Sequence, residues 1–412
     1  MVKVDLFDVV FLNKHNVFEA GQELKGYIVV QLSQAIKVED LRLKVKGKAQ
    51  TQWSTHRGKT STAYMGEEVY FDADLPLDYM KEFPDGHLSA GRHEVPFSYP
   101  LDAKLPSSYE SAQGHIRYLC AATLKRPKLK FDLHVKRLFT VMAREDLNKI
   151  PLAKDPVELT ANEEIMCCFA SRGIVSVTIS MNRRGFVPGE FLPLIIKVRN
   201  NSRKDVDVLQ MRLKQYISYY GDTTFAGFKG RNDVTKEIIR IDRALNTAPG
   251  DEMTLDDLKF QIPSLPPSMS GCDIIDIRYG LKIDISSFIR LELPIIIGTV
   301  PVRAMPASKS VDDLDEYDSI GSDDTDMPSM TTPPQCGYRV SVTGPFRLNN
   351  DGNDDDDGGG GGDNNSEGTF GDREFAPVYA YYGADADVDA PAKATRRKKD
   401  CGLHEVDMCI CD

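Results

Sequence analysis

The 412-residue sequence contains no run of about 18 apolar residues, the length that a membrane-spanning helix requires. Its start, MVKVDLFDVVFLN, lacks the basic region, apolar stretch and small-residue cleavage site of a secretory signal. The eight cysteines show no spacing typical of a disulfide framework, and three of them fall in the last dozen residues. We therefore expect a cytoplasmic protein with free thiols.

Sequence motifs of catalytic and metal sites are also missing. The seven histidines are scattered, and the chain has no Cys-x-x-Cys, His-Glu-x-x-His or Gly-x-Ser-x-Gly motif. Cys167 and Cys168 are neighbours in a predicted strand, so their side chains point to opposite faces and cannot easily hold one metal. We expect no catalytic residue, no cofactor, no metal and no enzymatic activity, and we expect no nucleic-acid partner.

The acidic charge is concentrated at one end of the chain. The formal net charge is −11, yet residues 1–303 hold 42 basic and 38 acidic side chains. Residues 304–412 hold 9 basic and 24 acidic side chains and include the run DGNDDDDGGGGGDNNSEG at 351–368. Such a stretch buries too little apolar surface to offset the entropy lost on ordering. We expect 304–412 to be a disordered acidic, Gly-rich tail.

Helical periodicity is nearly absent from residues 1–303, and alternation of apolar and polar residues replaces it. In LRLKVKGK at 41–48 the odd positions are mostly apolar and the even positions are all basic. The segments at 116–124 and 277–283 alternate in the same way. Strands with one buried and one solvated face, separated by turn signals, predict antiparallel β-sandwiches. The predicted fold class is therefore all-β.

Three motifs occur twice in the same order, at offsets of 168, 160 and 161 residues. The pairs are FEAGQEL at 18–24 with FVPGEFL at 186–192, LPSS at 105–108 with LPPS at 265–268, and SSYESAQGHIRYLC at 107–120 with SMSGCDIIDIRYGL at 268–281. The shared order predicts a duplicated sandwich, with domains at 1–150 and 151–303 and a linker near 146–156. The alternative is convergent turn chemistry in two unrelated β domains.

The combined motifs resemble the arrestin fold, and more narrowly the α-arrestins, or arrestin domain-containing proteins. The resemblance covers about residues 5–302. It rests on FEAGQELKG at 18–26, Trp53, VPFSYPLDAKLPSSY at 95–109, GHIRY at 114–118, RGFVPGE at 184–190, NNS at 200–202 and LPIIIGTVP at 293–301. It implies two tandem arrestin-like sandwiches in a non-enzymatic trafficking adaptor that binds cytoplasmic parts of membrane receptors or transporters.

The resemblance also implies a location and further partners. Tails of such proteins recruit WW-domain ubiquitin ligases of the HECT type or endosomal machinery, and the proteins lie peripherally at the plasma membrane and endosomes. An arrestin-fold subunit or scaffold of an endosomal sorting coat, without ligase recruitment, is the alternative. An extracellular adhesion protein is disfavoured, because it would need a signal segment and disulfides.

The ligase-docking motif of the family is Pro-Pro-x-Tyr, and this chain departs from it. The nearest match is Ala376-Pro377-Val378-Tyr379 within FAPVYAYYG, which keeps the second proline and the tyrosine. WW grooves hold proline rings in an extended helix, so the loss of one ring weakens docking. The segment is our candidate ligase motif, and a sticky patch in the tail is the alternative interpretation.

Two basic groups are candidates for binding an acidic partner, because basic side chains on one strand face lie about 7 Å apart and can meet successive phosphates or carboxylates. The groups are Arg42, Lys44, Lys46 and Lys48, and Lys125, Arg126, Lys128 and Lys130. A solubilising sheet face is the alternative. Opposite charge also suggests that the acidic tail folds back onto the first group.

Three cysteines near the end are candidate lipidation sites. Cys401, Cys409 and Cys411 follow the basic run RRKK at 396–399, and together these features would supply two membrane-binding signals. The terminal CICD has the shape of a prenylation box, although aspartate is not its usual last residue. A solvated charged end with reduced thiols is the alternative.

Overall fold

The computed structural model describes residues 4–79, 86–127, 131–167, 170–223, 227–269, 271–303, 336–347, 369–372 and 374–382. The regular secondary structure of the described part is almost entirely β-strand, as the alternating pattern predicts. Its two short helical segments are a 3-10 turn at Leu147–Lys149 and α1 at Pro151–Lys154. No helix in these ranges is long and apolar enough to cross a membrane.

The first domain packs two sheets face to face. Its strands are β1 (Val4–Phe11), β2 (Val17–Glu19), β3 (Glu23–Leu32), β4 (Ile36–Lys37), β5 (Asp40–Arg57), β6 (Thr60–Leu75), β7 (His87–Leu88), β8 (Gly91–Pro100), β9 (Tyr109–Glu110), β10 (Gly114–Lys125) and β11 (Leu133–Met142). One sheet has the order β1-β3-β8, and the other has the order β6-β5-β10-β11-β2. Apolar residues alternate into the core, as in β10, where each second side chain is buried.

The second domain repeats this arrangement. Its strands are β12 (Val157–Cys167), β13 (Ala170–Met181), β14 (Gly185–Phe186), β15 (Ile195–Ser202), β16 (Val206–Thr223), β17 (Lys229–Thr247), β18 (Glu252–Leu255), β19 (Ile275–Ile285) and β20 (Ile289–Ile297). One sheet has the order β12-β13-β15-β18. The other has the order β14-β20-β19-β16, and β17 pairs with β16. The all-β class with two tandem sandwiches is confirmed.

The predicted duplication is visible in backbone geometry. Gly21 has φ = 89° and Gly189 has φ = 97°, a region that favours glycine. Beside each glycine the next side chain accepts a backbone N–H: Gln22 accepts from Glu19 and Glu190 accepts from Val187. The short strand before each turn then pairs in parallel with the last long strand of its domain, β2 with β11 and β14 with β20.

The two domains are joined by strand pairing as well as by the chain. Met65 and Tyr64 of β6 pair with Asp222 and Thr223 of β16, so one continuous sheet crosses the junction. Gly66 permits this approach, because an added Cβ there would lie 2.6 Å from the Tyr220 carbonyl.

A buried hydroxyl cluster lies at the same junction. The Tyr219 hydroxyl of the second domain donates to the Ser111 hydroxyl of the first domain at 2.8 Å. The Tyr109 hydroxyl, also of the first domain, lies 3.2 Å from the Tyr219 hydroxyl. Tyr109 and Tyr219 are 1% and 0% exposed, so the bonds satisfy polar groups that water does not reach. The cluster therefore forms a buried polar contact between the first and second domains.

Parts of the expected disordered tail form strands, which is a difference from the sequence-based expectation. These strands are β21 (Cys336–Val340), β22 (Phe346–Arg347), β23 (Thr369–Gly371), β24 (Glu374–Phe375) and β25 (Val378–Tyr382). The physical reason is composition: β25 is the apolar, aromatic VYAYY, with side chains that can bury enough surface to offset ordering. The acidic run at 351–368 lies outside the described residues.

Candidate functional site

The C-terminal ribbon, which we define as β21 and β25, lies across the junction of the two domains. Its strands pair antiparallel, from Cys336 opposite Tyr382 to Val340 opposite Val378. Three consecutive residues of β25 are buried: Tyr379, Ala380 and Tyr381 are 2%, 3% and 3% exposed. The ribbon is therefore packed into the protein along its aromatic strand.

Contacts of the ribbon with the first domain centre on Tyr379. Its hydroxyl donates to the Ser108 carbonyl at 2.8 Å, and the Val378 N–H donates to the Thr140 hydroxyl at 3.2 Å. The Ala380 N–H lies 3.4 Å from the Met142 sulfur. Burial raises the pKa of Tyr379 well above its ordinary value, so the phenol is a neutral donor here.

Contacts with the second domain centre on Tyr382. Its N–H donates to the Pro188 carbonyl at 2.8 Å, and its hydroxyl donates to the Thr299 carbonyl at 2.7 Å. On β21, the Arg339 carbonyl accepts from the Ser264 hydroxyl at 3.0 Å. The ribbon therefore forms hydrogen bonds with both sandwiches.

Asp372 anchors the tail six residues before β25, between the two strands of the ribbon. Its two carboxylate oxygens accept from the Arg137 guanidinium at 2.5 Å and from the Leu138 N–H at 2.9 Å. Arg137 also makes two hydrogen bonds to Asp8, at 2.6 and 2.7 Å, and these bonds raise the pKa of Arg137. Next to Asp372, β23 pairs in parallel with β11. One arginine thus holds a carboxylate of the first strand and one of the tail.

The candidate ligase motif is part of this packed region. Pro377 and Tyr379 are buried, whereas Ala376 and Val378 are half-buried. The Pro377 carbonyl accepts the Ser341 N–H at 2.9 Å. A WW groove would need the same proline ring and tyrosine that the domain junction already holds.

The first basic group lies on β5 beside acidic side chains of the same domain. Arg42 pairs with Asp40 at 2.6 Å, and Lys48 lies 3.6 Å from Glu67. Lys44 and Lys46 both approach Asp72, at 3.5 and 3.6 Å. The row predicted to meet an acidic partner is therefore partly neutralised within its own sheet, and its partner role remains a prediction.

The second basic group meets the first at one end of the sheet. Lys125 stands opposite Asp40, which also binds Arg42. The Arg126 guanidinium donates to the Phe131 carbonyl at 2.6 Å. Lys128 and Lys130 lie outside the described residues. The predicted fold-back of the acidic run onto the first group also involves undescribed residues. A different basic residue, Arg137, binds the described tail carboxylate of Asp372.

The cysteines that the structure describes do not form a disulfide or a metal site. Cys120, Cys272 and Cys336 are free thiols, and burial raises the pKa of Cys272 to about 11. The candidate lipidation residues Cys401, Cys409 and Cys411 lie outside the described residues. Within the described part of the chain, no group of three or more His, Cys, Asp or Glu side chains could hold a metal.

Comparison with known proteins identifies the family. The model for Arrestin (or S-antigen), N-terminal domain matches residues 7–148, and the model for the C-terminal domain matches residues 171–302. Arrestin domain-containing protein 17 of Caenorhabditis elegans is 34% identical over 311 residues, which cover 73% of this chain and 72% of that protein. The chain is a member of the α-arrestin family.

Two human relatives have lower identity to the chain. Arrestin domain-containing protein 4 of Homo sapiens is 28% identical over 308 residues, covering 71% of each chain. Arrestin domain-containing protein 1 of Homo sapiens is 27% identical over 310 residues, covering 75% of this α-arrestin and 67% of that protein. The matched domain ranges end at residue 302, so the ribbon of this α-arrestin lies beyond both of them.

Several site residues were not singled out from the sequence of this α-arrestin. Arg137 and Asp372 are 235 positions apart and carry no local motif that links them. Ser108 was visible only as part of the repeated LPSS motif, and Tyr382 only as one of the aromatics in FAPVYAYYG. The run of aromatic and apolar residues in that segment was the available signal that it packs against another part of the protein.

Proposed function

We propose that this α-arrestin is a trafficking adaptor that binds cytoplasmic parts of membrane receptors or transporters. The observation that carries the proposal is the match of both arrestin domains, because arrestins are adaptors for membrane receptors. The continuous sheet through β6 and β16 supports it, since two joined sandwiches offer one extended surface to a partner. Binding to such cargo would place the protein peripherally at the plasma membrane and endosomes.

We propose in addition that the Pro377-x-Tyr379 segment links cargo to WW-domain ubiquitin ligases of the HECT type. The segment keeps one proline and the tyrosine of the docking motif. In the described arrangement both side chains are buried, so recruitment requires that the segment leave the junction.

The second candidate is an arrestin-fold scaffold of an endosomal sorting coat without ligase recruitment. One observation favours it: the motif candidate in the described tail is bound to the chain's own first domain through Ser108 and Thr140. In that case the ribbon would be a permanent structural element, and membrane cargo would be bound by the assembled coat.

Proximity labelling separates these two candidates. The full chain, fused to a labelling enzyme in cells, would be compared with the labelling enzyme alone. An adaptor is expected to label cytoplasmic regions of various membrane-spanning proteins. Enrichment of a fixed set of soluble subunits, which also co-purify in constant ratio with the chain, would instead identify a coat subunit and contradict the adaptor proposal.

Peptide titration tests the ligase link separately. A peptide covering residues 370–386 would be titrated with purified WW domains, together with Tyr379→Ala and Ala376→Pro versions. We expect Tyr379→Ala to abolish binding and Ala376→Pro to strengthen it, because the second proline ring restores the full motif. If the Tyr379→Ala peptide bound as well as the native one, the segment would not be a WW ligand.

A further inference from the structure

The candidate ligase motif is buried, with both Pro377 and Tyr379 inaccessible at the domain junction. We propose that the domain junction is an internal binding site for the Pro377-x-Tyr379 segment and competes with WW domains for the same side chains. The inference rests on the ligase link of the proposed function and adds its regulation. An anchor outside the motif, formed by Asp372 and Arg137, sets the outcome of the competition.

The junction holds the segment by contacts that a WW complex would have to break. Tyr379 is 2% exposed, and its hydroxyl donates to the Ser108 carbonyl. When the Tyr379 side chain leaves the junction, a large aromatic surface becomes exposed and the Ser108 carbonyl loses its donor. Pro377 is buried, and the N–H of the next residue, Val378, donates to the Thr140 hydroxyl of the first domain. A WW groove closes over these two rings, so both partners cannot bind at once.

The segment is fixed on its C-terminal side by the second domain. Tyr382 packs on a small apolar cluster formed by Leu147, Ala153 and Val187. Leu147 and Ala153 belong to the connection between the two domains, so the ribbon touches the first domain, the linker and the second domain. The internal site therefore depends on how the domains are placed, and a partner that alters this placement would release the motif.

The Asp372 anchor fixes the segment on its N-terminal side and lies outside the motif. The Asp372 and Arg137 side chains are 26% and 32% exposed, so their hydrogen-bonded ion pair is partly desolvated. Only four residues separate Asp372 from Pro377, so the closed anchor shortens the free connection and raises the effective concentration of the motif at the junction. An acidic ligand that takes the Arg137 guanidinium would open it.

Competition predicts weaker WW binding by the full chain than by the isolated segment. The apparent affinity of the full chain equals the affinity of the free motif multiplied by the fraction of chains in which the motif is free. We expect the full chain to bind WW domains about tenfold or more weakly than the peptide does. The Ala376→Pro substitution would be introduced in both the peptide and the full chain. A strong motif is then present in each, and the difference between them reports accessibility alone.

The deciding variant is Asp372→Asn, and its matched control is Glu374→Gln. Each removes one carboxylate two residues from the other, but Asp372 binds Arg137 at 2.5 Å whereas Glu374 lies 3.6 Å from the 88% exposed Arg347. Asp372→Asn is expected to bring WW binding of the full chain close to that of the peptide, and Glu374→Gln is not. The same substitutions in the peptide exclude a direct effect on the WW domain.

Hydrogen exchange of the full chain gives a second readout that needs no ligase. The Val378, Ala380 and Tyr382 amides have partners in the body of the protein, so they should be protected in the native chain and in Glu374→Gln. They should lose protection in Asp372→Asn and on addition of the WW domain.

The outcomes separate this inference from the ligase link. Equal WW affinities of peptide and full chain in the Ala376→Pro background, or unprotected ribbon amides in the native chain, would overturn the competition and leave the ligase link intact. A native peptide that binds no WW domain would overturn the ligase link. Protected amides together with a masked Ala376→Pro chain would still establish the internal site.

Discussion

Tyr118 and Tyr279 occupy equivalent positions in the two domains and make the same hydrogen bond. Tyr118 donates to the Pro106 carbonyl at 2.7 Å, and Tyr279 donates to the Pro266 carbonyl at 2.8 Å. Each tyrosine lies on a central strand, and each proline belongs to the repeated LPSS or LPPS motif. The repeated motifs thus form the same hydrogen bond in each domain, between a central strand and the loop that contains the proline.

Removal of either hydroxyl should destabilise its domain. We expect Tyr118→Phe to reduce the free energy of unfolding by about 1 kcal/mol, because a buried carbonyl loses its donor. Tyr279→Phe should cost more, since the Tyr279 hydroxyl also accepts from Gln215 at 2.8 Å. Urea unfolding measures both effects, and an equal or larger loss in Tyr118→Phe would contradict this account of Gln215.

The two turn glycines should respond differently to alanine. Gly21→Ala and Gly189→Ala both place a side chain at positive φ, which costs on the order of 1–2 kcal/mol. At Gly189 the added Cβ would also overlap the Tyr382 carbonyl, whereas at Gly21 it would lie 3.3 Å from Ala103. We expect only Gly189→Ala to release the ribbon, as measured by hydrogen exchange of residues 378–382. Release in both variants would show that the effect is global.

The buried pair of Glu110 and Arg117 should make stability depend on pH. Glu110 is 1% exposed and binds Arg117 at 2.6 and 2.9 Å, yet burial outweighs these bonds and raises the pKa of Glu110 above 4.5. The folded state then holds more protons than the unfolded state above pH 4.5. Its contribution to stability therefore falls as pH rises from 4.5 through the raised value.

Substitution of Glu110 tests this dependence. Glu110→Gln should flatten the slope of unfolding free energy against pH by at most about 1.4 kcal/mol per pH unit within that window. Urea titrations of both proteins from pH 4.5 upward give the difference. An unchanged slope in the variant would contradict a raised pKa of Glu110 in the folded state.

The close approach of β6 and β16 should be needed for the two domains to unfold together. Gly66→Ala would push a methyl group against the Thr51 hydroxyl and the Tyr220 carbonyl, which are themselves bonded at 2.7 Å. We expect a loss of about 1–3 kcal/mol and a calorimetric transition that broadens or splits in two. Gly271→Ala is the control, since its Cβ would meet neighbours only at 3.6 Å or beyond.

The basic row shows how far site prediction from sequence could reach. Alternation correctly placed Lys44 and Lys46 on one face of a strand, because side-chain direction follows from the two-residue period. It could not show that Asp72 of the next strand lies beside both of them, since strand register depends on the hairpin and the core.

The sequence by itself determined the all-β class, the duplication and the family, because these depend on local alternation, turn glycines and repeated motifs such as LPSS. Only the tertiary structure decided whether the side chains of FAPVYAYYG are buried or accessible. Whether Tyr379 is a free ligand or a buried side chain depends on the shape of a junction built from Ser108, Thr140 and Pro188, which are far from it in sequence. Burial energy belongs to the assembled surface, and a local pattern can state only that a segment is able to be buried.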